Sequence, residues 1–138
     1  MLYIEQDVVN ELIASVEPFP DERCGFLLGL ENSEDRMITR ALAAKNVTKG
    51  DAQRLFEIGA KEYLDAERTA FENNLSLLGI YHSHPNHPAI PSETDRRAAQ
   101  PYFSYVILSV RQQKVESIRS WRLNHHHEFE EETITQSS

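Results

Sequence analysis

His82-Ser83-His84 sets two imidazoles one residue apart, and Ser92 and Asp95 come shortly after in the same stretch. On a helix, side chains at i and i+2 point to nearly opposite sides. On an extended strand they share a face, about 7 Å apart at roughly 3.3 Å per residue. That spacing lets two rings converge on one metal ion, at about 2.0–2.1 Å each. Pro85 favours the extended form, because a proline disfavours α geometry in the residue before it, here His84. Pro88 and Pro91 stiffen the connection to the next element, and Ser92 suits a helix N-cap, with Asp95 three residues later. An aspartate in the first turn of a helix beside the strand end supplies an oxygen ligand. Two neutral imidazoles and a carboxylate leave the fourth tetrahedral position of Zn²⁺ to water, the pattern of a catalytic rather than a structural site. Alone, Ser92 and Asp95 are better explained as capping residues. It is the strand end, the proline-rich turn and the capped helix meeting in one place that points to a metal.

Several elements must position these residues. Apolar residues at Val8, Val9, Leu12, Ile13 and Val16 predict a helix over Gln6–Glu17, ended by Pro18 and Pro20. Glu22–Leu30 and Met37–Asn46 read as two strands around a polar turn. Glu22 shares a strand face with Cys24, Phe26 and Leu28. An unpaired buried carboxylate is costly, so a strand-end position reaching solvent is its simplest explanation. Beside a metal-activated water, the same glutamate is the expected general base. Thr48–Arg54 reads as a mobile loop over the site, and Leu55–Ile58 as a short strand-like piece. An amphipathic helix is predicted over Gly59–Asn74. Leu75–His84 is apolar on both faces, with Leu75, Leu77 and Tyr81 opposite Leu78 and Ile80, which marks a central strand. His82 and His84 extend the Leu78/Ile80 face to its carboxyl end. A helix from Ser92 stops before Pro101, and Tyr102–Val110 and Val115–Leu123 complete the strands. The polar, acidic stretch 125–138 reads as a tail beyond a domain of residues 1–124, frayed over Gln136–Ser138.

Composition narrows the function. A chain of 138 residues, 40% hydrophobic and 26% charged, fits one globular domain. A formal net charge of −8 argues against nucleic acid as a partner. The one cysteine, Cys24, makes no internal disulfide and reads as a small buried residue in a reducing compartment. No segment reads as a membrane span or a signal peptide, so a cytoplasmic location is expected. The triplet His125-His126-His127 has nothing to fix three rings in one geometry and reads as a solvated edge. His87, in the proline-rich turn, reads as a residue beside the ligands or facing substrate.

His82-Ser83-His84, seven residues, Ser92, two residues and Asp95 match the H-[ST]-H-x7-S-x2-D signature of the JAMM (MPN+) metallopeptidases. Pro20-Asp21-Glu22-Arg23-Cys24-Gly25-Phe26-Leu27-Leu28-Gly29 resembles that family's glutamate-bearing strand, and the likeness extends from about Leu2 to Leu123. The resemblance implies an α/β fold: a single JAMM/MPN domain whose mixed central sheet is flanked by helices in α-β-α, cytidine-deaminase-like layers. It implies His82, His84 and Asp95 as Zn²⁺ ligands, Glu22 as general base and Ser92 as hydrogen-bond donor to the oxyanion. Only the resemblance brings Glu22, sixty positions upstream, to the metal. The compact form is similar to the bacterial branch, which implies cleavage after Gly-Gly in the tail of a ubiquitin-like sulfur-carrier protein. Two alternatives remain open: a non-catalytic binding module of this fold, or a hydrolase acting on an isopeptide or cell-wall peptide. The oligomeric state is not legible.

Overall fold

The computed structural model describes residues 1–137. Its elements are β1 (Leu2–Glu5), α1 (Gln6–Val16), β2 (Cys24–Glu31), β3 (Arg36–Ala44), α2 (Ala60–Glu72), β4 (Ser76–Pro85), α3 (Glu93–Ala98), β5 (Ser104–Arg111), β6 (Lys114–Leu123), β7 (Phe129–Glu132) and β8 (Ile134–Ser137). The strands form one sheet in the order β7-β6-β5-β4-β2-β3-β1-β8. The sheet is mixed. β4 runs parallel to β5, and β1 parallel to β3 and β8, while the other pairs are antiparallel.

Both faces are covered. The apolar stripe of α1 buries Val8, Val9, Leu12 and Val16 against Leu27, Leu78, Tyr81 and Leu108. On the other face α2 contributes Ala66 and Ala70, packed with Phe26, Leu28, Ile80 and Tyr105. These are the α-β-α layers that the resemblance implied. β4 lies centrally between β2 and β5 and is buried from Leu77 to Pro85. Gly79 lets β5 approach: a Cβ there would lie 2.2 Å from the Ser104 carbonyl oxygen.

The alternation along β4 differs from the expected one. Leu27 pairs with Gly79 but Leu28 with Leu77, so the register slips by one residue at Leu78. Such a bulge re-aims side chains. Leu78 joins the α1-side core with Tyr81, whereas Leu77 and Ile80 join the α2-side core. His82 and His84 therefore continue the Ile80 face, with Leu78 on the opposite one. Three further differences stand out. β1 was not anticipated from the sequence. Leu55–Ile58 belongs to no strand. The stretch expected as a tail contributes β7 and β8, which pair with β6 and β1 at opposite edges of the sheet. Ser138, part of the expected frayed end, lies outside the described residues. No described helix is long and apolar enough to cross a membrane.

Candidate metal centre

β4 carries His82 and His84 to its C-terminal end, where both rings are buried. Their Nε2 atoms lie 3.0 Å apart. Asp95 Oδ2, at the start of α3, lies 3.3 Å from His82 Nε2 and 3.2 Å from His84 Nε2. Four ligands held tetrahedrally at about 2.0–2.1 Å are separated by roughly 3.3–3.4 Å, and this triangle, with sides of 3.0–3.3 Å, comes close to that size. The donor chemistry agrees. His84 Nδ1 donates to the Pro88 carbonyl oxygen at 2.9 Å, so the neutral ring keeps its Nε2 lone pair for a metal, while without one a protonated Nε2 donates to Asp95. His82 Nδ1 is buried without a hydrogen-bond partner. Three electron-rich atoms packed this closely call for a shared cation. Two carboxylates are candidates for the third donor, since Glu22 also offers a ligand atom within 4.8 Å of both imidazoles. The shorter separations favour Asp95 and leave Glu22 as the free carboxylate beside the triangle.

The structure shows why Glu22 is there. Ser83 Oγ accepts the Arg23 amide at 2.9 Å, and the Ser83 amide donates to the Arg23 carbonyl at 2.9 Å, extending the β2–β4 pairing past Cys24. The Glu22 amide donates to the Ala52 carbonyl at 2.6 Å, while Asn46 Nδ2 donates to the Glu22 carbonyl at 3.1 Å. The serine between the two histidines thus fixes the backbone next to the glutamate. The 48–54 loop, expected to be mobile, is tied to that same backbone. Asn46 ties it further, bonding the Leu55 carbonyl and the Thr48 and Glu57 amides at 3.0–3.1 Å.

Ser92 is the N-cap of α3 in a reciprocal capping box. Its Oγ accepts the Asp95 amide at 3.0 Å, and its own amide donates to Asp95 Oδ2 at 2.9 Å. The cap uses a lone pair of the hydroxyl and leaves the O–H hydrogen free to donate elsewhere, so the two functions read into Ser92 are compatible. The turn before it is pinned from β5 and β6. Ser109 Oγ donates to the His87 carbonyl at 2.6 Å, and Trp121 Nε1 donates to the Ala89 carbonyl at 3.0 Å.

Charge is distributed unevenly. Burial pushes the Glu22 carboxyl up to about 8; His84 opposes the shift and Asp95 reinforces it. Glu22 Oε1 has no hydrogen-bond partner. Burial also disfavours Asp95 ionisation, but hydrogen bonds from His82 and His84 outweigh it and hold that carboxyl well below the usual carboxylate range. Burial pulls His82 down. In His84 burial is outweighed by its bonds to Asp95 and the Pro88 carbonyl, and the net shift is upward. One carboxylate is therefore locked in its charged form, and the other is poised to hold a proton.

Two cavities flank the centre. One, about 140 Å³ and mostly apolar, is lined by Phe56, Ile58, Tyr63, Thr94, Tyr105 and Phe129, among others, and reaches His82 and Asp95. The other is an open cleft of about 420 Å³ holding Glu22, Arg54, His84, His87, Pro88, Ile90 and Ser92. Sequence reasoning missed Phe56, whose ring stacks on His82 at 4.3 Å and 26°; its place in an irregular loop gave no periodic signal. It missed Arg54 and Asn46 for the same reason. His87 lies edge-on to His84 at 6.5 Å, on the cleft side. In the histidine triplet, His127 bonds to α3 instead: its Nε2 lies 3.0 Å from the Arg96 carbonyl oxygen, and Arg96 Nη1 donates to the His127 carbonyl at 3.3 Å.

Comparison with known proteins agrees with this fold. Residues 5–124 match the family described as prokaryotic homologs of the JAB domain. The chain is 32% identical over 127 residues to the CysO-cysteine peptidase of Mycobacterium tuberculosis, covering 89% of this chain and 83% of that one. It is 34% identical over 91 residues to the desampylase of Haloferax volcanii, covering 65% of this chain and 63% of that one. Among solved structures, a protein from Desulfitobacterium hafniense superposes with a TM-score of 0.87 at 30% identity, covering 99% of this chain and 93% of the other. A JAB1/MPN domain protein from Archaeoglobus fulgidus superposes at 0.63 with 14% identity over 99% of each chain, a likeness of fold alone. The mixed sheet, its two helical layers and the match over residues 5–124 make the chain a member of the JAB/MPN family.

Proposed function

We propose that this protein is a zinc-dependent peptidase that hydrolyses the amide bond after Gly-Gly in the C-terminal tail of a ubiquitin-like sulfur-carrier protein. The observation that supports this most is the triangle of His82 Nε2, His84 Nε2 and Asp95 Oδ2, with sides of 3.0–3.3 Å, beside a buried free carboxylate. The names of the M. tuberculosis and H. volcanii relatives point to the same class of substrate.

His82, His84 and Asp95 would hold the ion. Zinc bound there lowers the pKa of water toward about 7 and polarises a carbonyl. Glu22 accepts a proton from the attacking water and delivers it to the leaving amine. The Ser92 hydroxyl, its lone pair engaged by the Asp95 amide, donates its hydrogen to the carbonyl oxygen as negative charge develops. We place the carrier's extended tail against the apolar cavity that Leu55–Ile58 help to line. Two glycines next to the scissile bond have no β-carbon to place against Phe56 and α3, which both line that cavity. A purely binding role would leave Glu22 as a desolvated carboxyl without purpose, which a fold does not keep cheaply.

The test is intact-mass analysis of a small ubiquitin-like carrier extended beyond Gly-Gly, incubated with zinc-loaded wild type and with His84→Ala. A mass loss ending at the glycine pair, seen only with wild type, is expected. One bound zinc without cleavage would remove this substrate. Absence of stoichiometric zinc would remove the enzyme.

A further inference from the structure

The open cleft has a polarity that the mechanism does not use. Glu22 and Ser92 line it, so the scissile bond and its leaving amine must enter there. Arg54 lines the same cleft and, among the described residues, is the one Lys or Arg lining either cavity at the centre. Its guanidinium is available. The side chain is 76% exposed, and its ion pair, with the exposed Asp51, is a loose one at 3.9 Å. Such pairs contribute little.

The backbone beneath Arg54 is nevertheless fixed. The Arg54 and Leu55 amides donate to the Asp51 carbonyl at 3.0 and 2.9 Å, and the Gln53 amide to Asp51 Oδ1 at 2.9 Å. The same turn accepts the Glu22 amide through Ala52. General base and guanidinium are thus carried on one hydrogen-bonded unit. In a released amino acid the new amine and the α-carboxylate are separated by a single carbon. A group that protonates the one and a group that binds the other must therefore be neighbours. The amine of an isopeptide-linked lysine has no carboxylate at that distance.

Building on the peptidase function above, we propose that Arg54 determines specificity on the leaving side by receiving the free α-carboxylate of the substrate's last residue. Hydrolysis then breaks one C–N bond, adds hydroxyl to the glycine carbonyl carbon and a proton to the amine, and releases a single C-terminal amino acid. A planar guanidinium matches a carboxylate through two parallel hydrogen bonds, which a lysine in its place reproduces only in part.

The probes are two N-acetylated peptides ending Gly-Gly-Ala, one a free acid and one a carboxamide. Binding is measured by calorimetry on zinc-loaded Glu22→Gln, and turnover by mass spectrometry on wild type. The free acid is expected to bind about tenfold more tightly than the amide, as for one charge-assisted bidentate contact. Adding Arg54→Ala should bring the ratio to about one, with Arg54→Lys between the two, while zinc content and melting temperature stay at parental values. Equal binding of the two peptides, no binding of either, or an unchanged ratio in the Arg54→Ala protein overturns the assignment. An Arg54-dependent preference for the acid, without cleavage by wild type, supports the carboxylate site and counts against the peptidase function instead.

Discussion

Asp95 is placed to do two things with one oxygen, and they can be separated. Oδ2 accepts the Ser92 amide at 2.9 Å to close the capping box, and it faces His82 and His84 at 3.3 and 3.2 Å. Asp95→Asn keeps an oxygen that can accept the Ser92 amide but removes the charge facing the imidazoles. Ser92→Ala removes the cap acceptor and keeps the carboxylate. Losing an N-cap costs about 0.5–2 kcal/mol. Since α3 buries no residue, that cost should appear as local fraying of the helix more than as a lower melting temperature. Zinc is the larger lever. In a buffer holding free zinc at about 100 times the wild-type Kd, binding adds about 2.7 kcal/mol, or roughly 8–13 °C at about 3–5 °C per kcal/mol for a chain of this size. If Asn weakens the site by about 100-fold, the most that losing a group merely supporting a ligand costs and so a modest loss for a ligand, the increment falls to about 0.4 kcal/mol, some 1–2 °C. Scanning fluorimetry with and without chelator reads these quantities directly. In chelator, Asp95→Asn should melt a few degrees below wild type, because the charge that His82 and His84 stabilise is lost. In buffered zinc, most of the shift should be gone, whereas Ser92→Ala should keep it. A full zinc shift in Asp95→Asn would refute the ligand assignment. A large loss of stability in chelator would mean that the carboxylate serves the fold instead.

Glu22→Gln should retain zinc and fold while turnover falls by about 10²–10⁴-fold, the usual worth of a general base. Because burial lifts the Glu22 carboxyl from 4.5 to about 8 in the fold, the metal-free native state binds the extra proton. Its contribution to stability is fully present below pH 4.5 and is lost as pH rises toward about 8; urea titrations of the chelated proteins should show this loss in wild type but not in Glu22→Gln. Phe56→Ala removes the ring stacked on His82 and part of the apolar cavity wall, and should cost about 1–2 kcal/mol in stability. Phe56→Leu should recover most of the stability but less of the kcat/KM for a Gly-Gly substrate. Gly79→Ala places a methyl group against the Ser104 carbonyl and should cost at least about 2 kcal/mol by separating β4 from β5. Near-native melting of Gly79→Ala would show that the strands can part without loss.

Much of the candidate site was legible because it is local. The i, i+2 period of a strand, Pro85 and the Ser92/Asp95 cap spacing act within a few residues, and the resulting strand and capped helix appear as β4 and α3. The apolar run of Leu75–His84 marked a central strand because burial on two faces leaves no polar alternation. Other features had no such signature. The bulge at Leu78 depends on how β2 and β4 register, so counting alternate residues put Leu75, Leu77 and Leu78 on the wrong faces relative to Ile80 and the histidines. β1, β7 and β8 are four-residue strands, too short for a period to declare itself, and they are held by pairing at the sheet edges.

What the sequence determined by itself was a local arrangement: two imidazoles on one strand face and a carboxylate in a capped first turn. Tertiary structure alone decided what surrounds it. It brought Glu22 across sixty positions through the Ser83–Arg23 bonds, and it stacked Phe56 over His82. It also set Arg54 in the cleft through a turn bonded to the Glu22 backbone. The physical reason is range. Backbone torsions and caps are set by near neighbours along the chain. A loop residue reaches the candidate site only through hydrogen bonds and packing between elements, and those exist only once the sheet has assembled.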